Sequence, residues 1–273
     1  NKYLDAETHL FLARKTSTMV VVVLVVVVAR RDATRRGEPR RGAAVPGYVT
    51  AARAPLLYMP VRSGPEDEVC AWMAALDDVP VDTLPTHLNQ KALRQWKRRN
   101  PGHRSFTVLR HPVARAHDAF CKRILSTGPG AFADIRKTLR NFYKVPIPGG
   151  GPDDSYDRRA HREAFVGFLN FLRANLSGQT NIRTDAHWAS QVAILQGMAQ
   201  FGIPDMVVRE ADMEQHLTLL AAQVGYRDVQ PPRHAPEDDP VALADIYDDE
   251  IEKLVSEIYQ RDYVMFGFEA WKA

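Results

Sequence analysis

The sequence predicts an α/β fold in which a mostly parallel central sheet is flanked by helices on both faces. Short apolar runs such as Leu56–Met59, Ser105–Leu109 and Met206–Glu210 alternate with longer segments whose apolar residues recur at helical spacing. This alternation favours parallel pairing, because each helix returns the chain to the same end of the sheet. With 273 residues, 45% of them apolar, we expect a single domain over residues 1–273 with a substantial core.

The first predicted strand, Leu10–Ala13, leads into a loop with one lysine and three hydroxyl groups. The loop consists of Arg14, Lys15, Thr16, Ser17 and Thr18. Its N–H groups, its hydroxyls and the positive end of a following helix can surround a phosphate or sulfate, while Lys15 neutralises the charge. The layout therefore predicts a P-loop-like anion site near the start of the chain.

The apolar run Val20–Val28 follows this loop. Eight of its nine residues are valine, which favours a strand on propensity, whereas an anion-binding loop favours a helix. Periodicity cannot decide between them, because the run is apolar all round. We favour a buried helix, as an anion-binding loop before it requires. The run is about half of the ~20 residues that span a bilayer, and no small-residue cleavage site follows. We therefore expect no membrane span and a cytoplasmic, bacterial-like protein, with an anchor upstream of Asn1 left open.

Residues 30–53 form an arginine-rich connection with seven arginines and two acidic residues. We interpret it as a solvated linker, with a surface for an acidic acceptor as the alternative. The net charge of the whole chain is only +3, which is too small to indicate a nucleic-acid partner. Two cysteines, Cys70 and Cys121, make neither a disulfide framework nor a zinc pattern, so a reducing compartment fits best.

A second strand–turn–helix unit runs from Leu56–Met59 through the turn Arg62–Pro65 into a predicted helix over 66–76. It is a rival phosphate loop, but Glu66, Asp67 and Glu68 at the helix start would repel an anion. We interpret this unit as structural.

A third unit lies in the middle of the chain. The extended, proline-punctuated segment Val79–His87 and a basic helix over 91–99 precede the clearest strand, Ser105–Leu109. Arg110 ends that strand, Pro112 lies near the first helical turn, and a helix continues to Leu125. A strand followed by an arginine and a helix start is a second anion-binding geometry.

The rest of the chain is predicted to be mainly helical. Helices are expected over 131–142 and 158–175, on either side of a Gly/Pro loop at 145–157. Further helices are expected to open near 185, 212 and 248, around the late strand Met206–Glu210. No composition shift follows the Gly/Pro loop, so it is interpreted as a loop within one domain.

Four segments together resemble the PAPS-dependent sulfotransferase superfamily, especially the branch of Golgi carbohydrate sulfotransferases and their bacterial relatives. Lys15–Thr18 resembles the family's 5′-phosphosulfate loop, and Val108–Arg115 resembles its 3′-phosphate strand and turn. His187–Gln191 is similar to a His-Trp-x-x-Gln element, and Ile258–Gly267 is similar to the C-terminal signature. The long stretch between Lys15 and Arg110 leaves room for the intervening strand and helix of the family fold, whereas a start at Arg62 is cramped.

The resemblance implies a metal-free O-sulfotransferase that moves a sulfuryl group from 3′-phosphoadenosine 5′-phosphosulfate (PAPS) to a carbohydrate-type hydroxyl. The basic stretches at 30–53 and 91–104 favour an acidic acceptor. It implies that Lys15 and its loop hold the 5′-phosphosulfate and that Arg110 holds the 3′-phosphate. His87 matches the histidine that acts as general base, and a neutral histidine can take the acceptor's proton near pH 7. His187 and Trp188 are assigned packing and orienting roles.

One position departs from the family pattern. The family usually has a serine eight positions after the arginine, where this chain has Asp118 in the 3′-phosphate site. A carboxylate repels a phosphate, so we expect Asp118 to pair with Arg115 or Lys122, with Arg115 either an ion-pair partner or a ligand. A non-catalytic binding protein with a degenerate nucleotide site is therefore the alternative function.

Two further functions are weighed and set aside. A kinase is disfavoured because the Gly-x-x-x-x-Gly-Lys-Ser/Thr loop is missing. No metal is assigned, because His103, His111 and His117 near Arg110 match no metal-ligand spacing.

Overall fold

The computed structural model describes residues 47–86, 88, 90–199, 202–227, 229–232 and 239–272. The predicted strand at 10–13, the anion loop at 14–18, the run Val20–Val28 and His87 lie outside the described residues. The roles assigned to them stay predictions.

A mixed, mostly parallel sheet forms the centre, with strand order β1-β2-β3-β4. The strands are Val49–Thr50 (β1), Leu56–Tyr58 (β2), Arg104–Leu109 (β3) and Met206–Arg209 (β4). β1 pairs with β2 antiparallel, whereas β2, β3 and β4 pair in parallel, with Tyr58 opposite Phe106 and Val108 opposite Val208. The predicted α/β class with a mostly parallel sheet is confirmed.

The helices follow the predicted segments closely. They are Glu66–Leu76 (α1), Gln90–Arg99 (α2), Pro112–Ala119 (α3), Ala133–Asn141 (α4), Arg158–Leu176 (α5), Gln191–Met198 (α6), Met213–Gln223 (α7), Leu243–Ile246 (α8), Asp249–Ile258 (α9) and Gln260–Phe266 (α10). Three predictions need correction. The helix expected to open near 185 begins at Gln191, where the Ser190 side chain caps it by accepting from the Ala193 N–H. The helix predicted to run to Leu125 changes at Phe120–Leu125 into a π-helix, and the segment predicted as extended before His87 contains a 3₁₀ turn at Val81–Thr83.

Both faces of the sheet are covered because side chains alternate along each strand. Phe106 and Val108 of β3 face one side, in a cluster with buried residues of α1 and α7. Leu57 and Leu109 face the other side, against α2 and α6. A larger cluster joins α3, the π-helix, α5 and α9 beyond the sheet. The predicted flanking of the sheet on both faces is therefore confirmed.

The Gly/Pro-rich loop between α4 and α5 lies where it was predicted. Arg136 of α4 donates hydrogen bonds to the carbonyls of Pro148, Gly149 and Gly150, and that to Gly149 measures 3.1 Å. The guanidinium therefore holds a loop that has few side chains of its own to pack. Among the described residues, no helix is long and apolar enough to cross a membrane.

Candidate functional site

Two loop–helix units lie side by side at the carboxyl edge of the parallel strands. β2 leads through residues 59–65 into α1, and β3 leads through Arg110 and His111 into α3. Open α/β sheets bind ligands outside the carboxyl ends of their strands. The loop Arg62–Pro65, interpreted from sequence as structural, therefore lies beside the predicted 3′-phosphate unit. The stretch of chain between Arg62 and Arg110, described above as cramped, has room for both α1 and α2.

The loop at Val61–Gly64 is a tight turn that needs its glycine. The Gly64 N–H donates to the Val61 carbonyl over 3.0 Å, and Ser63 adopts a left-handed φ of 58°. A Cβ added at Gly64 would lie 2.7 Å from the Val61 carbonyl oxygen, which belongs to the backbone and has little freedom to move. Strained residues of this kind concentrate at ligand-binding sites, because the surrounding structure holds them in place.

We expect Gly64→Ala to lower the free energy of unfolding by about 1–3 kcal/mol, the usual cost of overpacking. Gly197→Ala is the matched control, because a Cβ at Gly197 in α6 meets nothing within 4 Å. It should be neutral or stabilising by up to about 1 kcal/mol, since alanine favours a helix. Urea unfolding of both variants checks the pair, and equal effects would contradict a steric role for Gly64.

A buried arginine joins this loop to the His-Trp-x-x-Gln element. Arg115 of α3 is only 2% exposed. Its guanidinium donates to the carbonyls of Arg62 (2.9 Å), Ala186 (2.7 Å) and Ala189 (2.7 Å). It forms no ion pair with a carboxylate of the described residues. The sequence predicted that Arg115 is either an ion-pair partner of Asp118 or a ligand, and both predictions are wrong. Arg115 instead connects two segments of the site.

Ser63 links a histidine to a carboxylate across the loop. Its Oγ lies 3.0 Å from Nδ1 of His187 and also hydrogen-bonds Asp118. An ionised Asp118 accepts from the Ser63 hydroxyl, which then accepts from the protonated Nδ1 of His187. Burial raises the pKa of Asp118, but hydrogen bonds from Lys122 and Ser63 outweigh it and hold the pKa below its ordinary value. The chain of bonds leaves Nε2 of His187 as the ring's lone-pair nitrogen.

Because the ring of His187 is neutral, the free energy of unfolding should depend on pH in the acid range. Burial, with help from Arg123, lowers its pKa from 6.5 to about 4. A lowered histidine pKa means that the unfolded chain takes up the proton first, so stability falls as the pH drops from 6.5 towards 4. His161, whose pKa burial also lowers to about 4, acts with the same sign. His187→Gln should therefore reduce the slope in urea unfolding between these pH values, and an unchanged slope would contradict the assignment.

Arg110 lies at the end of β3, where the 3′-phosphate was predicted, but carboxylates surround it. Its Nε and Nη2 donate to Glu210 over 2.7–3.1 Å, and its Nη1 lies 3.6 Å from Asp118. Glu68 of α1 approaches to 4.0 Å. The predicted pairing of Asp118 with Lys122 is confirmed at 2.6 Å. Three carboxylates thus face two cations at this point, which leaves a net negative charge.

The start of α1 has the same acidic character. Glu66, Asp67 and Glu68 occupy its first turn, and Glu66 pairs with Arg62 over 3.1 Å. The three carboxylates thus lie at the start of α1, and their repulsion of an anion stays a prediction.

The last two family-like segments meet behind Arg110. Asp262 is fully buried and accepts from the N–H groups of Gln191 (2.8 Å) and Val192 (2.9 Å). The Gln191 side chain donates to the Arg110 carbonyl over 2.9 Å, and the Tyr259 hydroxyl donates to the Trp188 carbonyl over 2.8 Å. The C-terminal segment therefore holds the start of α6, which in turn holds the backbone at Arg110.

Trp188 has the packing role that the sequence analysis gave it. The side chain is fully buried, and its Nε1 donates to Asn175 over 3.0 Å. Three phenylalanines, Phe132, Phe168 and Phe171, surround its ring.

A cavity of about 640 Å³ opens beside Arg110, within the usual size range of small-ligand sites. Three cations line it: Arg110, Arg209 and Lys272. The aromatic side chains of Phe268 and Trp271 also line it, as do Glu210 and Glu269. Cations beside flat aromatic rings can bind a phosphorylated molecule with an aromatic base.

The structure brings together some predicted site residues and adds others. Arg110 and Asp118, which were assigned to one 3′-phosphate site, lie 3.6 Å apart. Arg14, Lys15, Thr16, Ser17, Thr18 and His87 lie outside the described residues. Sequence reasoning missed Ser63, Glu210, Arg209 and Lys272. Glu210 had a usable signal, because it ends the predicted strand Met206–Glu210, at the edge where Arg110 follows another strand.

Comparison with known families assigns most of the chain. The model of the sulfotransferase family matches residues 75–269, which include Arg110, Asp118, the His-Trp-x-x-Gln element and Asp262. Comparison with the curated proteins and with the solved structures found no match. Since the matched region is more than two thirds of the 273 residues, the chain belongs to the sulfotransferase family.

Proposed function

We propose that the chain transfers a sulfuryl group from PAPS to a hydroxyl of a carbohydrate-type acceptor. The observation that supports this most is the cavity beside Arg110, whose size, cations and aromatic walls suit an adenine nucleotide with phosphates on both sides of its ribose. The 3′-phosphate would be bound by Arg110 with Arg209 or Lys272, and the base would lie against Phe268 or Trp271.

In the proposed reaction, the acceptor oxygen forms a bond to sulfur as the bond from sulfur to the 5′-phosphate oxygen breaks. The nucleotide 3′-phosphoadenosine 5′-phosphate (PAP) leaves, and the acceptor's proton passes to a general base. Like phosphoryl transfer, this step depends on an in-line nucleophile and a stabilised leaving group. We assign the base to His87 and the stabilisation of the leaving phosphate to Lys15 and its loop.

We expect His87→Ala to abolish sulfate transfer while leaving PAP affinity within about threefold of wild type, because the base contacts the acceptor and not the nucleotide. The control is His187→Ala, since His187 is assigned an orienting role. Transfer is followed with radiolabelled PAPS, and PAP binding by calorimetry. Loss of transfer in His187→Ala together with an active His87→Ala would contradict the assignment and give the base role to His187, whose Nε2 holds the ring's lone pair.

An acidic acceptor fits the basic surface of α2. Lys91, Arg94, Arg98 and Arg99 are exposed, and none of them forms an ion pair within the part of the chain that the structure describes. An unpaired basic surface attracts anions at low salt. Sulfate transfer to an acidic glycan should therefore exceed transfer to its neutral counterpart, and the difference should shrink as salt is raised.

The nucleotide site is tested by calorimetric titration with PAP. Micromolar binding, or about −8 kcal/mol, is expected for wild type. Arg209→Ala and Lys272→Ala should each weaken binding, whereas Arg173→Ala should not, because Arg173 lies on α5 away from the cavity. Binding that is insensitive to both cavity variants would contradict this placement of the nucleotide.

A non-catalytic sulfotransferase-fold binding protein is the second candidate. The pairing of Arg110 with Glu210 and Asp118 favours it, because the cation that should hold a phosphate already has carboxylate partners. In this case wild type binds neither PAP nor PAPS, and binding to a glycan or protein partner is the remaining function.

A further inference from the structure

Two histidines and a cysteine converge where α3 and the π-helix after it pack against α5. Nε2 of His117 lies 2.9 Å from Nε2 of His161, and Sγ of Cys121 lies 3.6 and 3.9 Å from these two nitrogens. All three residues are buried, with exposures of 1%, 0% and 4%. Two imidazole nitrogens and a sulfur therefore face one point inside the protein.

The spacing of these atoms matches a tetrahedral zinc site. With Zn–N of about 2.0–2.1 Å and Zn–S of about 2.3 Å, ligand atoms lie about 3.3–3.6 Å from each other. The observed separations of 2.9, 3.6 and 3.9 Å bracket this range, so shifts of a few tenths of an ångström bring all three atoms to bonding distance. Nitrogen and thiolate donors together suit zinc better than magnesium or calcium, which take oxygen ligands.

Asp239 supplies the orienting contact that metal-bound histidines usually have. Its Oδ2 lies 3.3 Å from Nδ1 of His117. A carboxylate at Nδ1 keeps the proton on that nitrogen, which leaves the Nε2 lone pair free to bind a metal.

The backbone at this point departs from a regular α-helix. His117 lies in α3, and Cys121 lies one turn later, where the π-helix Phe120–Leu125 begins. π-helical turns are rare and occur frequently at functional sites. Here the π-helix contains Cys121, whose sulfur faces His117 in α3 and His161 in the first turns of α5.

We propose that His117, Cys121 and His161 bind one zinc ion, with Asp239 positioning His117 and a fourth ligand site left to water. Binding releases the thiol proton of Cys121 to solvent, and no redox change is involved. The ion joins α3 and the following π-helix to α5. This proposal does not depend on the proposed function. No metal was assigned from the sequence, where only His103, His111 and His117 were considered as a cluster. His161 lies 44 residues from His117 and joins it only in the fold.

Cobalt(II) titration of the chelator-treated full chain tests the site. We expect one Co²⁺ per chain, with visible d–d bands, a thiolate-to-cobalt charge-transfer band in the near ultraviolet, and displacement by Zn²⁺. Cys121→Ser should lose the charge-transfer band, whereas Cys70→Ser, which changes the other cysteine, should keep it. Asp239→Asn should bind about 10–100-fold more weakly, as expected for an orienting residue.

Measuring Tm with chelator and with Zn²⁺ is the control that separates loss of metal binding from loss of folding. Zn²⁺ should raise the Tm of wild type and of Cys70→Ser, but not that of Cys121→Ser or His161→Gln. The proposal is overturned if wild type binds neither metal at equimolar concentration. It is also overturned if Cys121→Ser and His161→Gln bind Co²⁺ as tightly as wild type, since the cluster would then be a hydrogen-bonded packing contact only.

Discussion

Combining Asp118→Ser with Glu210→Gln is expected to tighten PAP binding at least tenfold. Both carboxylates lie against Arg110, with side chains 10% and 16% exposed. A buried charge about 5 Å from an incoming phosphate contributes ~3 kcal/mol of repulsion at an effective dielectric constant of ~20. Removing two such charges leaves Arg110 and Lys122 facing only Glu68, so the local net charge changes from negative to positive.

Calorimetry at two salt concentrations checks this prediction, with Glu163→Gln as control, because Glu163 is an exposed carboxylate on α5. The double variant should also lose stability without PAP, since Arg110 then lacks its partners. If it binds no PAP either, Arg110 is not a phosphate site in this chain. Tight binding by wild type that neither change improves would instead show that the carboxylates move away when the nucleotide enters.

The central sheet could be predicted from sequence because its signals are local. The alternation of Phe106 and Val108 with Ser105 and Thr107 identifies β3 from a few neighbouring residues. The arginine at its end and Pro112 after it likewise identify a strand–helix junction. Each of these features depends on residues a few positions apart, so it can be predicted from the sequence alone.

The partners of the site residues could not be predicted in the same way. Glu210 lies 100 positions from Arg110, and before folding it cannot be distinguished from an ordinary surface carboxylate. From the sequence, Arg115 was expected to have a charged partner because Asp118 is close along the chain. The structure gives it three backbone carbonyls instead, and every residue has such a group, so no residue type marks the contact. The loop at Arg62 was judged a weaker phosphate loop than Lys15–Thr18 because of the acidic residues after it. Its position beside Arg110 could not be predicted, because that position depends on the pairing of β2 with β3.

The largest loss of stability is expected from Arg115→Met. Methionine fills much of the volume but leaves the carbonyls of Arg62, Ala186 and Ala189 without their donor. Stranding a buried polar group costs about 1–3 kcal/mol, so we expect the free energy of unfolding to fall by about 3–5 kcal/mol in total. For a chain of this size, that corresponds to a Tm lower by about 10 °C.

Arg115→Lys separates hydrogen bonding from charge, because lysine keeps the cation but lacks the fork that reaches three carbonyls. We expect it to fall between wild type and Arg115→Met. Arg173→Met, at an arginine whose side chain is 54% exposed, should change stability by less than about 0.5 kcal/mol. If the free energy of unfolding of Arg115→Met also differs from wild type by less than about 0.5 kcal/mol, water must replace Arg115 as the donor to the three carbonyls. The loop at Ser63 and the segment at His187 would then be positioned by something other than Arg115.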